Sequence, residues 1–180
     1  MILIISICME KLHYLEFVKP IEDIIINEGR KFLAKHYNEL TEEDIKSTKK
    51  IIICGTSLKD NEFIKDIKKF QWMKEYEKPI LGICGGMQVV CKVFGSKISK
   101  KTEIGLFKEK FIKDFLGVKA GSEEYVYHLH NFFAKMPKNF EKLAGKSIPQ
   151  AIKHKHLPIY GVLFHPEVRQ KKMIKEFLKI

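Results

Sequence analysis

Pro79-Ile-Leu-Gly-Ile-Cys-Gly-Gly-Met-Gln88 is the stretch on which the reading of this chain turns. Nothing polar interrupts Pro79–Ile83, as expected of a short strand buried on both faces. The run ends in Gly82-Ile83-Cys84-Gly85-Gly86, and a helical pattern from Met87 to Phe94 follows at once. A strand that turns directly into a helix needs small residues at the turn, where bulkier neighbours would collide. The residue at the apex is a cysteine. This is the G-x-[S/C]-x-G form of a nucleophile elbow. The helix N-terminus beneath Cys84 favours a thiolate and offers backbone N–H groups to a developing oxyanion. On this segment alone the competing reading, an idle buried cysteine in a glycine-rich turn, stays open.

Working outward, the same strand-then-helix rhythm recurs. Met1–Cys8 and Lys50–Cys54 are further Ile-rich strands, and Lys31–Tyr37 is a candidate strand between them. Pro20–Glu28 reads as a helix, with Pro20 in its first turn and Gly29 at its end. Thr41 followed by Glu42-Glu43-Asp44 starts a short one. Phe63, Ile64, Ile67, Phe70 and Met73 fall at helical period, which predicts a helix from Asn61 to about Tyr76. Such alternation implies an open, mostly parallel sheet with helices on both faces. Beyond Gly95 the extended runs Glu124–His130, Ile148–His154 and Ile159–Phe164 read as a few added antiparallel strands, and Lys171–Ile180 as a closing helix. No repeat or linker interrupts the chain, so residues 1–180 are expected to form one domain.

A second segment, Leu157-Pro-Ile-Tyr-Gly-Val-Leu-Phe-His-Pro-Glu-Val168, runs as a strand into His165-Pro166-Glu167. On extended chain, residues two apart point to the same side, and Pro166 keeps His165 extended. Glu167 can then bind one imidazole nitrogen while the other faces a thiol. A lone histidine is more often a satisfied surface or core residue, but His-x-Glu downstream of a cysteine elbow supplies a nucleophile, a base and an orienter.

Composition narrows the setting. The chain has 180 residues, 45% of them hydrophobic, enough for a sizeable core without staples. No stretch is long and apolar enough to span a bilayer, and Met1–Cys8 lacks the basic flank of a signal peptide. Cys8, Cys54, Cys84 and Cys91 show no C-x-x-C pair, so neither a zinc knuckle nor a disulfide framework is expected. A reducing, cytoplasmic setting follows. The net charge of +11 is nearly all lysine, Arg30 and Arg169 being the only arginines. Nucleic-acid readers usually carry arginine for bidentate contacts. The dispersed lysines therefore read as a solvated face, or as a docking surface for an acidic partner, and nucleic acid is not expected.

Gly82-Ile-Cys-Gly-Gly-Met-Gln88 and Tyr160-Gly-Val-Leu-Phe-His-Pro-Glu-Val168, in that order, resemble the class I (triad-type) glutamine amidotransferases over nearly the whole chain. Ala151–Tyr160 looks most like the amidotransferase subunits of GMP synthetase. The resemblance implies a flavodoxin-like α/β fold and hydrolysis of L-glutamine through a γ-glutamyl thioester, with ammonia passed to a synthetase. It makes Cys84 the nucleophile, His165 the general base and acid, and Glu167 the orienter. The N–H groups of Gly85 and Thr56 would be oxyanion donors. Leu58, Gln88, Asn131 and Phe132 would help line the glutamine pocket. No cofactor is expected in this chain. It carries no P-loop, so ATP and Mg²⁺ are expected only in a separate synthetase subunit. A stand-alone γ-glutamyl hydrolase or ligase-like enzyme, and a non-catalytic regulatory module, are the alternatives.

Two departures from the family pattern bear on this. Where Gly-Gly-Pro-Gly is usual, this chain has Gly55-Thr56-Ser57-Leu58. A β-branched threonine disfavours positive φ, so the second donor is expected to be misaimed until a partner rearranges it. After the first strand stands Met9-Glu-Lys-Leu-His13, instead of the Asp-Gly-Gly-Gln stretch of GMP synthetase subunits. His128/His130 and His154/His156 have a spacing compatible with zinc, but the sequence places no carboxylate or thiol set beside them, the resemblance already gives His130 a place in the glutamine-binding loop Leu129–Phe132, and no metal is expected. Cys54, Cys91 and Trp72 read as core.

Overall fold

The computed structural model describes residues 1–180. Its central sheet has seven strands in the order β2-β1-β3-β4-β9-β8-β7. The strands are β1 (Ile2–Ser6), β2 (Phe32–His36), β3 (Lys50–Ile53), β4 (Ile80–Ile83), β7 (Phe140–Ala144), β8 (Ala151–His154) and β9 (Ile159–Val162). The first five in spatial order run parallel, and β8 and β7 complete the sheet antiparallel. The order 2-1-3-4 with a fifth parallel strand is the flavodoxin-like arrangement, in which ligands bind at the carboxyl ends of the strands. A separate two-stranded ribbon, β5 (Ile98–Lys110) with β6 (Glu123–Ala134), completes the strands.

Helices cover both faces: α1 (Lys11–Phe17), α2 (Lys19–Asn27), α3 (Glu42–Ser47), α4 (Glu62–Lys65), α5 (Gly85–Val93) and α6 (Lys171–Phe177). Period-2 alternation along the buried strands splits the core in two. Ile2, Ile4, Ile52, Leu81 and Ile83 pack on the side of α2 and α6, with Ile21, Ile25, Ile174 and Phe177. Leu3, Ile5, Ile51, Ile53 and Ile80 face the other way, toward Phe63, Phe70, Met73 and the α5 residues Met87, Val90 and Cys91. No helix is long and apolar enough to cross a membrane.

Several sequence expectations are corrected. Ile159–Val162 is not an added antiparallel strand; it pairs parallel with β4, Gly82 opposite Gly161. The helix expected from Asn61 to Tyr76 is a single α-turn, α4, followed by a 3-10 stretch over Ile67–Lys74. Helical spacing survives that change because i and i+3 still share a face in a 3-10 helix. Lys11–Phe17 is an additional helix, and β5 and β7 are strands the sequence did not announce. The α3 start is as expected: Thr41 accepts from the Asp44 N–H while the Asp44 carboxylate accepts from the Thr41 N–H.

Candidate active site

The site lies at the carboxyl ends of β3, β4 and β9, three neighbours in the sheet. β4 delivers Cys84 onto the N-cap of α5 with φ 49° and ψ −105°. That is a strained conformation for a residue with a Cβ. Two close approaches hold it. A Cβ on Gly82 would lie 2.6 Å from the Gly86 carbonyl oxygen, and one on Gly86 would lie 2.1 Å from that of Ile53. Only glycines let α5 press this closely on β3 and β4, and the Cys84 N–H is fixed by a 2.7 Å bond to the Val162 carbonyl of β9.

His165 follows β9 and is buried, its N–H bonded to the Tyr127 carbonyl of the ribbon at 2.9 Å. Its Nδ1 is 2.7 Å from Glu167 Oε1, and Glu167 is buried as well. The expected His–Glu pair is therefore present, but extended backbone does not make it. β9 ends at Val162, and Pro166–Val168 form a turn closed by the Val168 N–H on the His165 carbonyl at 3.2 Å. Burial opposes a charged imidazole at this position. The Glu167 carboxylate and the Cys84 thiol outweigh it, holding the imidazolium well above the ordinary histidine value. His165 Nε2 makes no hydrogen bond, while Cys84 Sγ lies 3.6 Å from the Leu129 carbonyl. Thiol and base are neighbours whose proton-transfer contact is not closed in this conformation, a common state of unliganded sites.

A small cleft of about 20 Å³ opens beside the thiol. Its wall includes Cys84, Gly85 and Gln88 from the elbow, Thr56 and Leu58 from the β3 loop, and Asn131 and Phe132 from β6. All six residues expected to contact substrate thus share one cleft with the nucleophile. Gln88 is buried, and its amide donates to the Phe132 carbonyl at 2.9 Å, tying α5 to the ribbon. The N–H groups of Gly85 and Thr56 are engaged in no hydrogen bond, which leaves both free to receive an oxyanion.

In the β3 loop Thr56 stays out of the left-handed region, as its β-branched side chain favours. Its hydroxyl donates to Asp60 Oδ2 at 2.5 Å, and the same oxygen meets the Met9 N–H at 3.0 Å and His13 Nδ1 at 2.8 Å. Asp60 therefore joins the β3 loop to the segment after β1, the two places where the sequence departs from the family pattern. Sequence reasoning missed it, and missed Phe63 and Asn61 in the cleft wall. An acid four residues after the substituted loop position was the one available signal.

Cys8, Cys54, Cys84 and Cys91 are all free. Burial raises the thiols of Cys8, Cys54 and Cys91 above the ordinary range and keeps them protonated. The expectation that no carboxylate accompanies the first His-x-His pair is corrected: the ribbon register sets Glu103 opposite His130, and Glu103 Oε2 lies 3.2 Å from both His128 Nδ1 and His130 Nε2.

Residues 13–180 match the family model described as Glutamine amidotransferase class-I. The chain is 33% identical over 186 residues to a glutamine-hydrolyzing GMP synthase subunit of Methanococcus aeolicus, covering 87% of this chain and 93% of that one. It is 36% identical over 112 residues to the corresponding GMP synthase subunit of Pyrococcus abyssi and 35% identical over 124 residues to that of Pyrococcus furiosus. Those two matches cover 58% and 63% of this chain, and span 59% and 65% of the relatives' own lengths. Among solved structures, a protein from Thermoplasma acidophilum assigned provisionally as a GMP synthase subunit superposes with a TM-score of 0.85 at 20% identity, over 99% of this chain and 92% of that one. A glutamine amidotransferase from Thermotoga maritima gives 0.71 at 19% identity, over 99% and 80%. At these identities the structural likeness is one of fold.

Proposed function

The chain belongs to the class-I glutamine amidotransferase family, and on that premise we propose that it hydrolyses L-glutamine to glutamate and ammonia through a thioester on Cys84. The observation that carries the reading is the buried His165–Glu167 pair, 2.7 Å apart, set beside the strained elbow of Cys84. With the imidazolium favoured, the thiolate attacks the carboxamide carbon. Charge develops on the carboxamide oxygen, where the N–H groups of Gly85 and Thr56 can receive it. His165 passes its proton to the nitrogen, which leaves as ammonia. The neutral imidazole then takes a proton from water as that water attacks the thioester, and returns it to the departing sulfur. Glu167 orients the ring throughout and stabilises its charged form.

Residues 1–180 are taken as one domain acting with a separate synthetase subunit that receives the ammonia and uses ATP and Mg²⁺. The relatives named as GMP synthase subunits favour GMP synthetase for that role. Four free thiols fit a reducing cytoplasm. The test is ammonia release from glutamine by the purified chain, alone and with the ATP-using subunit of GMP synthetase. Release that rises when the subunit is added supports the reading. No release in either state, or turnover of other γ-glutamyl compounds in place of glutamine, would overturn it.

A further inference from the structure

We propose that Glu103, His128 and His130 form a binding site for a divalent transition-metal ion, with zinc the best match to the donors, on the ribbon beside the cleft. The first support is the shape of the donor set. Glu103 Oε2 is 3.2 Å from His128 Nδ1 and 3.2 Å from His130 Nε2, and the two nitrogens are 3.3 Å apart. A tetrahedral zinc ion holds its nitrogen and oxygen ligands at about 2.0–2.1 Å, which puts any two of them about 3.3 Å apart. The three atoms therefore already form one face of the required tetrahedron. Two imidazoles and one carboxylate are a known zinc donor set, with the fourth position left to solvent.

The second support is the proton inventory. His130 Nδ1 faces the Lys101 carbonyl at 3.3 Å, where only an N–H makes sense, so Nε2 presents a lone pair. His128 Nε2 lies 3.7 Å from Glu109 Oε1, beyond hydrogen-bond reach, so the proton of this ring sits on Nδ1, toward Glu103 and His130. An ion would take the place of that proton. Glu103 is already held for the purpose, its Oε2 accepting from the Gln150 amide at 2.8 Å and its Oε1 paired with Lys101 at 2.9 Å. The backbone carbonyl behind His130 is likewise a group that commonly supports a metal-bound histidine. His128 is fully buried and His130 is 2% exposed. Phe107 and Phe164 pack on His128 with ring centroids at 4.7 and 6.4 Å, keeping water off that ring.

The position gives the site a consequence. Leu129 lies between the two histidines, and its carbonyl accepts a hydrogen bond from the Cys84 thiol at 3.6 Å. An ion held by β5 and β6 would pin that strand, and with it the Asn131 and Phe132 wall of the cleft. Binding is read without turnover, so the proposal stands or falls separately from the glutaminase reading.

The experiment uses the full chain stripped with a chelator and titrated with zinc chloride by calorimetry, with cobalt(II) as a spectroscopic substitute. One zinc per chain is expected, with a melting temperature raised by roughly 5–10 °C at a hundredfold excess over the dissociation constant. Cobalt should give tetrahedral ligand-field bands and no thiolate charge-transfer band. Glu103→Gln and His128→Gln should each weaken uptake on the order of 10²-fold or more, while their metal-free melting temperatures stay near that of the metal-free wild type. Should His128→Gln fail to fold, the wild-type spectrum and Glu103→Gln decide the matter. No uptake by the wild type, undiminished uptake in Glu103→Gln, or a thiolate band placing the ion on cysteine would overturn the proposal.

Discussion

A Cβ on Gly55 would lie 2.6 Å from Cε1 of His165 and 3.2 Å from Nδ1, the nitrogen paired with Glu167. The base is thus seated against bare backbone of the β3 loop, with no room for even a methyl group. Gly55→Ala should push the imidazole away from both its partners. Displacements of this size cost on the order of 10² in rate, so kcat for glutamine should fall by that order while the chain stays folded. Steady-state kinetics with a circular-dichroism melt checks this, and wild-type turnover in a folded Gly55→Ala would show that the ring tolerates the shift.

Covalent chemistry should be confined to one thiol. An electrophilic glutamine analogue is expected to add a single adduct at Cys84, because burial keeps Cys8, Cys54 and Cys91 protonated. Cys84→Ala should lose on the order of 10⁴ or more in rate. Peptide mass spectrometry after labelling decides the first point, and a second labelled cysteine would sink the assignment.

Glu167→Gln tests the orienter through pH. His165 is raised above its unfolded value, which is about 6.5. Its charged pairing with Glu167 therefore stabilises the fold fully below that value, and the contribution is lost as pH rises through the folded value. The variant removes a charge-assisted bond of about 1–3 kcal/mol, so its deficit in melting temperature should be largest below about pH 6.5 and shrink as pH rises to the alkaline side. Glutamine affinity should hold while kcat falls, by less than in His165→Ala. A deficit that grows with pH would mean that the pair is not carrying a proton charge.

The bond from Thr56 to Asp60 should matter for rate more than for binding. Thr56→Val keeps the side-chain shape but removes the hydroxyl, and Asp60→Asn weakens the acceptor that His13 and the Met9 N–H also use. Loss of one aimed oxyanion donor is worth on the order of 10²–10³ in kcat, and a loosened donor should cost part of that. Because both variants break one contact, their effects should fall short of additive in the double variant. Additive losses would separate Asp60 from the oxyanion loop.

How much of this was legible in the sequence depended on whether the signal was local. The elbow and its flanking strand could be read because glycine, cysteine and apolar residues each answer a local demand of the turn. The His165–Glu167 pairing was foreseen for a reason the backbone does not bear out: spacing suggested an extended strand, while a Pro166 turn makes the contact. The β5 strand was hidden because Ile98–Lys110 is mostly polar on both sides, as befits a ribbon outside the main sheet. Asp60 and Glu103 were missed because their partners are remote in the chain. Asp60 owes its importance to His13 and Met9, which are 47 and 51 residues away. Glu103 owes its own to His128 and His130 on the facing strand. Pairing register carries that information, and a single sequence does not display it.

The glycines of the elbow also bear on how this chain can vary. Gly86 has its absent side chain directed at the carbonyl of Ile53, and Gly82 at the carbonyl of Gly86. The helix under the thiol and the strand leading to the second oxyanion donor are therefore interlocked at main-chain distance, and neither can gain an atom there without displacing the other. Substitutions that tune the enzyme have to be accepted elsewhere, on the loop from Thr56 to Asp60 and along the ribbon. Those are the regions in which an ancestral glutaminase could be fitted to a new synthetase while its chemical step was inherited unaltered.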